Sequence, residues 1–219
     1  MTISDQALSY IAEGTIVGLG SGRAATAFIE SLGRRVKAGF KIRGVPTSGK
    51  TADLAIQLGI PLVSLDAIDQ VDITIDGADE VDPQLNLIKG LGGALVREKI
   101  VAASAKRLVI LVGSEKIVKT LGEHGILPVE VVPFGLALCK RKLTELGCPP
   151  VLRLKDGQPF VTDNGNLVLD CQIAPLADPA GLEQRILAIP GVVGSGLFLG
   201  MADLVLVQDG ANVRTLKHN

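Results

Sequence analysis

From Thr15 to Val112, short apolar runs alternate with helix-forming stretches, and glycine, proline or a capping residue marks each change. Parallel strands need a crossover between them, so this alternation predicts an α/β fold built on a doubly wound, Rossmann-like, mostly parallel sheet. Thr15 to Leu19, Lys41 to Val45, Pro61 to Leu65, Val71 to Ile75 and Arg107 to Val112 read as strands. Helices are expected from Ala24 to Ala38, from Ser48 as N-cap to Leu58 with Gly59 as the stop, and from near Ala94. Ahead of them, Thr2 and Asp5 have capping-box spacing, opening a helix that Gly14 would end.

After Leu127-Pro128 the texture changes. Strand Val129 to Val132 and an amphipathic helix from Phe134 to Leu146 are followed by short alternating runs, Val151 to Leu154 and Pro159 to Thr162. Asn164-Gly165 is a two-residue hairpin signal before strand Asn166 to Ile173. Asp178 caps a helix with Pro179 at its first position, running to about Ile189. These elements predict a smaller antiparallel α+β lobe. Leu204 to Val207 and Val213 to Leu216 read as a hairpin, and the first of these runs is apolar throughout, as for a strand rejoining the first sheet. Two domains are therefore expected: residues 1–127 plus 200–219, and an inserted lobe over 128–199.

Composition narrows the function. Hydrophobic residues make up 47% and aromatics 3%, which gives an aliphatic core without need of metals or disulfides. A net charge of −1 makes no electrostatic case for nucleic acid or a membrane surface. Three cysteines without CxxC spacing are expected to be reduced and buried, in a cytoplasmic protein. MTISDQALSYIAEG lacks the basic and apolar regions of a signal peptide. His124 and His218, the two histidines, lie in no metal-ligand spacing, and neither a nucleophile elbow nor a P-loop is present.

The chemistry is concentrated between Asp72 and Lys99. An apolar strand runs into Asp76-Gly77, an acidic loop follows with Asp79, Glu80 and Asp82, then Lys89 and the glycines Gly90, Gly92 and Gly93, and a helix restarts carrying Arg97, Glu98 and Lys99. Polar sites in open parallel sheets lie at the carboxyl ends of strands, where this order places Asp76. Each residue also has an ordinary explanation: Asp76-Gly77 as a hairpin turn, Asp79 as a helix cap, Lys89 as a solvated loop lysine. Glu98, with apolar residues one turn to either side, is a candidate base. Arg97 and Lys99 have similar neighbours, so periodicity does not single it out.

Gly18, Gly20 and Gly22 lead into a helix, the arrangement that aims backbone N–H groups at an anion. The third glycine of a dinucleotide fingerprint would stand at 23, where the chain has Arg23, and no acidic residue follows the second strand. A lone phosphate fits better than a dinucleotide, with Ser21 and Arg23 as donors. A tight turn without a ligand is the alternative.

Ile75-Asp76-Gly77-Ala78-Asp79-Glu80, Ile88-Lys89-Gly90-x-Gly92 and Ala94-Leu95-x-Arg97-Glu98-Lys99 closely resemble the signature of type A ribose-5-phosphate isomerase. The resemblance extends over nearly the whole chain, through Gly18-x-Gly20-Ser21-Gly22, Pro128-Val129-Glu130-Val131, Val161 to Asn166 and Ile189 to Val193. It implies an aldose–ketose isomerase of the pentose phosphate pathway that uses no metal or cofactor. It also implies an α/β domain with a ferredoxin-like insertion, and a homodimer or homotetramer. By motif, Glu98 is the general base that moves a proton between C2 and C1, Asp76 assists ring opening, and Lys89 stabilises the developing negative oxygen. Asp79 would bind sugar hydroxyls. Gly77, Ala78, Gly90, Leu91 and Gly92 would line the substrate, and Lys116 matches a binding lysine. In the first loop the family has hydroxyls where this chain has Arg23 and Ala24 after Gly22, so either Arg23 or Thr26 takes their place at the phosphate. Leu91 stands where glycine is usual.

Two other functions fit the same elements: a non-catalytic sugar-phosphate sensor, and an acyl-CoA transferase-like enzyme with a glutamate nucleophile. The first helix lies directly at the start of the sequence, leaving no room there for the DNA-binding segment a sensor would carry.

Overall fold

Leucine and β-branched runs pair edge to edge into a six-stranded sheet in a computed structural model that describes residues 2–218. The order is Asn212–Lys217, Leu204–Asp209, Leu108–Gly113, Ile73–Gly77, Ile16–Leu19 and Arg43–Pro46. All neighbours are parallel except the Leu204–Asp209 and Asn212–Lys217 hairpin. The expected return of the apolar run near 204 to the first sheet is therefore observed, paired with Leu108–Gly113. Met1 and Asn219, the limits of the expected first domain, lie outside the described residues.

The chain forms two compact units, residues 1–78 with 97–116 and 200–219, and residues 79–96 with 117–199. In the first, strand periodicity assigns the faces. Val17, Leu19, Ile73, Ile75, Val109, Leu111, Leu204 and Leu206 point to one side and pack with Phe28, Ile29 and Leu32 of helix Arg23–Lys37. The intervening residues, Gly18, Thr74 and Asp76 among them, point to the other side.

That second side receives helix Leu95–Ala103. Val71 donates its N–H to the Ser104 carbonyl at 2.9 Å, and Thr74 donates its hydroxyl to the Val101 carbonyl at 3.4 Å. A Cβ on Gly18 would lie 2.1 Å from Thr74 Oγ1 and 2.8 Å from Val101, so glycine is what lets the helix approach the sheet. Helix and strand run in opposite directions.

The second unit holds a four-stranded antiparallel sheet in the order Val192–Ser195, Ile126–Val131, Leu167–Gln172, Pro150–Leu152. With helices Leu136–Glu145 and Pro179–Leu187 the chain order is βαββαβ, the expected ferredoxin-like arrangement. Asp178 caps the second helix by accepting from the Gly181 N–H at 2.8 Å, with Pro179 in the first turn. Among the described residues, no helix is long and apolar enough to cross a membrane.

Three expectations are corrected. The first helix is Ile3–Leu8 and stops well before Gly14. Its capping box forms, but Ser9 returns its hydroxyl to the Gln6 carbonyl, and three-residue turns at Tyr10 and Ile11 tighten the end. Pro61 to Leu65 is not a strand. Leu62 makes one isolated bridge to Gly44, and Ser64 then caps a 3₁₀ turn, Leu65–Ala67. The acidic stretch is a small hairpin rather than an open loop: Glu80–Val81 pairs with Leu87–Ile88. Asp82 closes its turn by accepting the Gln84 and Asn86 N–H groups at 2.9 and 2.8 Å. No alternation announces strands this short.

Candidate active site

In the first unit the chain leaves strand Ile16–Leu19 toward one edge and returns as Ile73–Gly77 on its other side. The carboxyl ends of these two strands are thus the switch point where open α/β sheets bind ligands. Gly20, Ser21 and Asp76 stand there. Asp76 is 1% exposed, and its Oδ1 accepts the Ser21 N–H at 3.1 Å and the Gly77 N–H at 2.7 Å.

The Ser21 hydroxyl has its own cluster. Its oxygen lies 2.8 Å from Thr47 Oγ1, 2.9 Å from Ser48 Oγ and 3.2 Å from Thr51 Oγ1. Thr47 and Thr51 reach the carbonyls of Leu19 and Gly20 at 3.0 and 3.1 Å. Residues of the second βα turn thus fix the backbone of the first, and that backbone holds Asp76. Ser48 was expected only as an N-cap, a role it keeps by accepting from the Thr51 N–H. Nothing in the sequence marks Thr47 and Thr51, since hydroxyls in a turn and a helix carry no distinctive spacing.

The three glycines of the first turn do different things. Gly18 makes room for Thr74 and Val101, and Gly20 abuts the Asp76 carboxylate. Gly22 alone is open, with φ +91° and nothing near its missing side chain. It is the N-cap of Arg23–Lys37 and supplies no side-chain cap to this 15-residue helix. Such an end attracts an anion. Arg23 and Thr26 are exposed and Ala24 is half-buried on that first turn.

Glu98 follows from the pairing of helix and strand. Ser104 meets Val71 and Val101 meets Thr74, so one further turn back along the helix brings Glu98 toward Asp76 and Gly77. Helix Leu95–Ala103 thus lies on the side of the sheet to which Asp76 points. Glu98 is 4% exposed, whereas Arg97 and Lys99 are half-buried. Of the three charges that periodicity leaves alike, packing buries Glu98 furthest. Gly77 and Ala78 are half-buried next to Asp76, and Lys116 is half-buried in the Ser114–Lys116 turn after strand Leu108–Gly113.

In the second unit, Asp79 and the 89–93 loop are brought together. The Asp79 carboxylate accepts the Leu91 N–H at 3.0 Å, and its own N–H donates to the Ile88 carbonyl at 2.8 Å. Lys89 is 3% exposed, donates its backbone N–H to Gly196, and sets its ammonium 5.5 Å from the centre of the Phe198 ring. Gly90 has φ +110°, and a side chain there would meet Leu95 and Pro128. Leu91 and Gly92 are exposed, so the leucine at 91 leaves the loop's backbone path intact. Among the described residues, no group of three or more His, Cys, Asp or Glu is placed to hold a metal ion.

Residues 43–211 match the family model described as ribose 5-phosphate isomerase A (phosphoriboisomerase A). A protein of Roseiflexus sp. (strain RS-1) named ribose-5-phosphate isomerase A is 54% identical over 207 residues, 93% of this chain and 89% of its own length. One of the same name from Gloeobacter violaceus is 50% identical over 98% of this chain and 94% of its own. The structure of ribose 5-phosphate isomerase A from Methanocaldococcus jannaschii superposes with a TM-score of 0.93 at 42% identity, covering 98% of this chain and 96% of that one. A D-ribose-5-phosphate isomerase solved with phospho-erythronic acid gives 0.95 at 38% identity over the same shares.

Proposed function

The chain belongs to the ribose 5-phosphate isomerase A family, and on that premise we propose that it interconverts D-ribose 5-phosphate and D-ribulose 5-phosphate through an enediolate. One observation carries the assignment to residues. Within the family's signature segment, Asp76, Lys89 and Glu98 are 1%, 3% and 4% exposed. Glu80 of the same segment is 1% exposed too, but the Gly122 and His124 N–H groups take up its carboxylate, so burial supports the assignment together with the family signature.

Glu98 takes the proton from C2 of the opened aldose and delivers it to C1. A carboxylate withheld from water is suited to that transfer. Asp76, oriented by the N–H groups of Ser21 and Gly77, moves the hydroxyl proton as the ring opens and the carbonyl migrates. Lys89 supplies positive charge to the oxygen that becomes negative. Asp79, with the backbone from Gly90 to Gly92, meets the sugar hydroxyls. The phosphate is assigned to the uncapped start of helix Arg23–Lys37, with Ser21, Gly22, Arg23, Ala24 and Thr26 around it and Lys116 as a further cation. The acid found on the related isomerase carries a phosphate and a carboxylate, which fits a site for a phosphorylated sugar with an anionic intermediate.

The test is proton exchange. Ribose 5-phosphate turned over in deuterated water acquires label at C1 of the ketose. Glu98→Gln loses on the order of 10²–10⁴-fold in kcat while still binding the phosphorylated acid. Near-normal turnover by this variant would remove Glu98 from the mechanism. Family membership also supports an assembly of two or four copies, which light scattering on the purified protein measures. Three free thiols fit a reducing compartment, and the cytoplasm is proposed as the location.

A further inference from the structure

The loop that carries Lys89 contains Gly90, Gly92 and Gly93, and glycine-rich backbone does not hold one conformation by itself. Its order has to come from outside. Two side chains of the same unit supply it. Asp79 accepts the Leu91 N–H, as described. From the other side, Arg153 Nη1 donates to the carbonyl of Gly90 at 2.8 Å and to that of Leu91 at 3.1 Å. The peptide joining Gly90 to Leu91 is gripped at both its donor and acceptor groups.

Arg153 is itself fixed. Its Nε donates to Asp170 Oδ2 at 2.9 Å, and its Nη2 pairs with Oδ1 of the same carboxylate. Its backbone N–H donates to Val168, and its carbonyl accepts from Phe160. The Phe160 ring lies 6.0 Å from the guanidinium and fills the space where Gly93 lacks a side chain. The arginine side chain is 13% exposed. Only a planar fork can place two donors on a carboxylate and a third on two carbonyls at once, so lysine is no substitute here.

We propose that Arg153, clamped by Asp170, is a positioning residue that fixes the 89–93 loop and thereby sets where the Lys89 ammonium stands. The link to turnover rests on the role assigned to Lys89 above. The link to the loop does not.

Arg153→Met keeps the stem and removes the donors. Hydrogen exchange by NMR reads the loop directly. The Leu91 and Gly93 amides exchange at least about tenfold faster in the variant, while those of strand Leu167–Gln172 keep their protection. Unchanged exchange at Leu91 and Gly93 overturns the proposal. Kinetics read the consequence. Arg153→Met lowers kcat by on the order of 10²-fold, the scale of a small misplacement of a catalytic group, with little change in KM. Arg153→Lys does not restore it, and guanidinium ion added to Arg153→Ala restores part of it.

In a Lys89→Ala background the effect of Arg153→Met on kcat disappears. An equal loss in both backgrounds marks a general structural role and overturns the positioning claim. If Lys89→Ala alone keeps full turnover, the mechanistic role of Lys89 falls, and amide exchange still decides the clamp. Should Arg153→Met fail to fold, Asp170→Asn frees the fork without removing it, and the same amides and the same kcat respond in the same direction.

Discussion

An ideal Cβ on Gly20 would stand 2.2 Å from Oδ1 of Asp76 and 2.6 Å from its Cα. The carboxylate occupies the space that any side chain at position 20 would need. The backbone of Asp76 belongs to the sheet, so it cannot retreat as a flexible side chain would.

Gly20→Ala is therefore expected to displace Asp76 rather than leave it in place. Overpacking of this kind costs about 1–3 kcal/mol, and kcat falls further than that loss of stability explains. Chemical denaturation and steady-state kinetics on the same preparation separate the two. An alanine variant with normal turnover would show that the Asp76 carboxylate need not hold this position.

Glu130 is wholly buried in Ile126–Val131, one of the two inner strands of the second unit's sheet. Its Oε1 accepts from Thr162 Oγ1, Asn164 Nδ2 and Asn166 Nδ2 at 2.9–3.0 Å. Glu130→Ala strips three donors of their acceptor at once and is expected to cost about 2–4 kcal/mol. Glu130→Gln keeps an acceptor oxygen and is expected to cost about 1 kcal/mol. Urea unfolding of the two variants checks the order.

Asp72 joins strand to loop. The Ile16 N–H, and after it the Lys106 ammonium, hold its carboxyl below the usual value of 3.8. A carboxyl lowered in the folded state adds stability above its unfolded pKa, and that stability disappears as the pH falls through the folded one. Asp72→Asn should flatten the acid limb of Tm against pH and leave the neutral region lower than wild type. The side chain is one-third exposed, so the difference stays under about 1 kcal/mol. An unaltered acid limb would count against the assignment.

Cys139, Cys148 and Cys171 are buried, and burial pushes all three thiols up, Cys171 most of all. Thiolate is the reactive form. At mildly alkaline pH a disulfide reagent should leave the folded protein unlabelled and titrate three thiols after denaturation. Rapid labelling of the native protein would show that one of them opens to solvent.

Most of the sheet was legible because Ile16–Leu19, Ile73–Gly77, Leu108–Gly113 and Leu204–Asp209 are apolar runs that stop at or just before a glycine. Asp76 was legible for the same reason, since a charge closing such a run has to stand at a strand's carboxyl end. The Glu80–Val81 and Leu87–Ile88 hairpin was not, because two-residue strands have no period. Glu98 could not be told from Arg97 and Lys99, for the apolar residues around all three hide which side meets the sheet. The decision is made by Gly18 and Thr74, far off in sequence. Arg153 gave no signal, because its partners are two backbone carbonyls and a carboxylate that only the fold brings near.

Leu204–Asp209 pairs with Leu108–Gly113, and the second unit's residues 117–199 lie between them in the chain. On the ribosome the earlier strand emerges long before its neighbour, leaving an apolar edge open to any other nascent or misfolded chain. The first unit can close only after the second unit's residues 117–199 have been made. Chaperone demand during synthesis should therefore fall sharply once residues beyond Asp209 leave the exit tunnel.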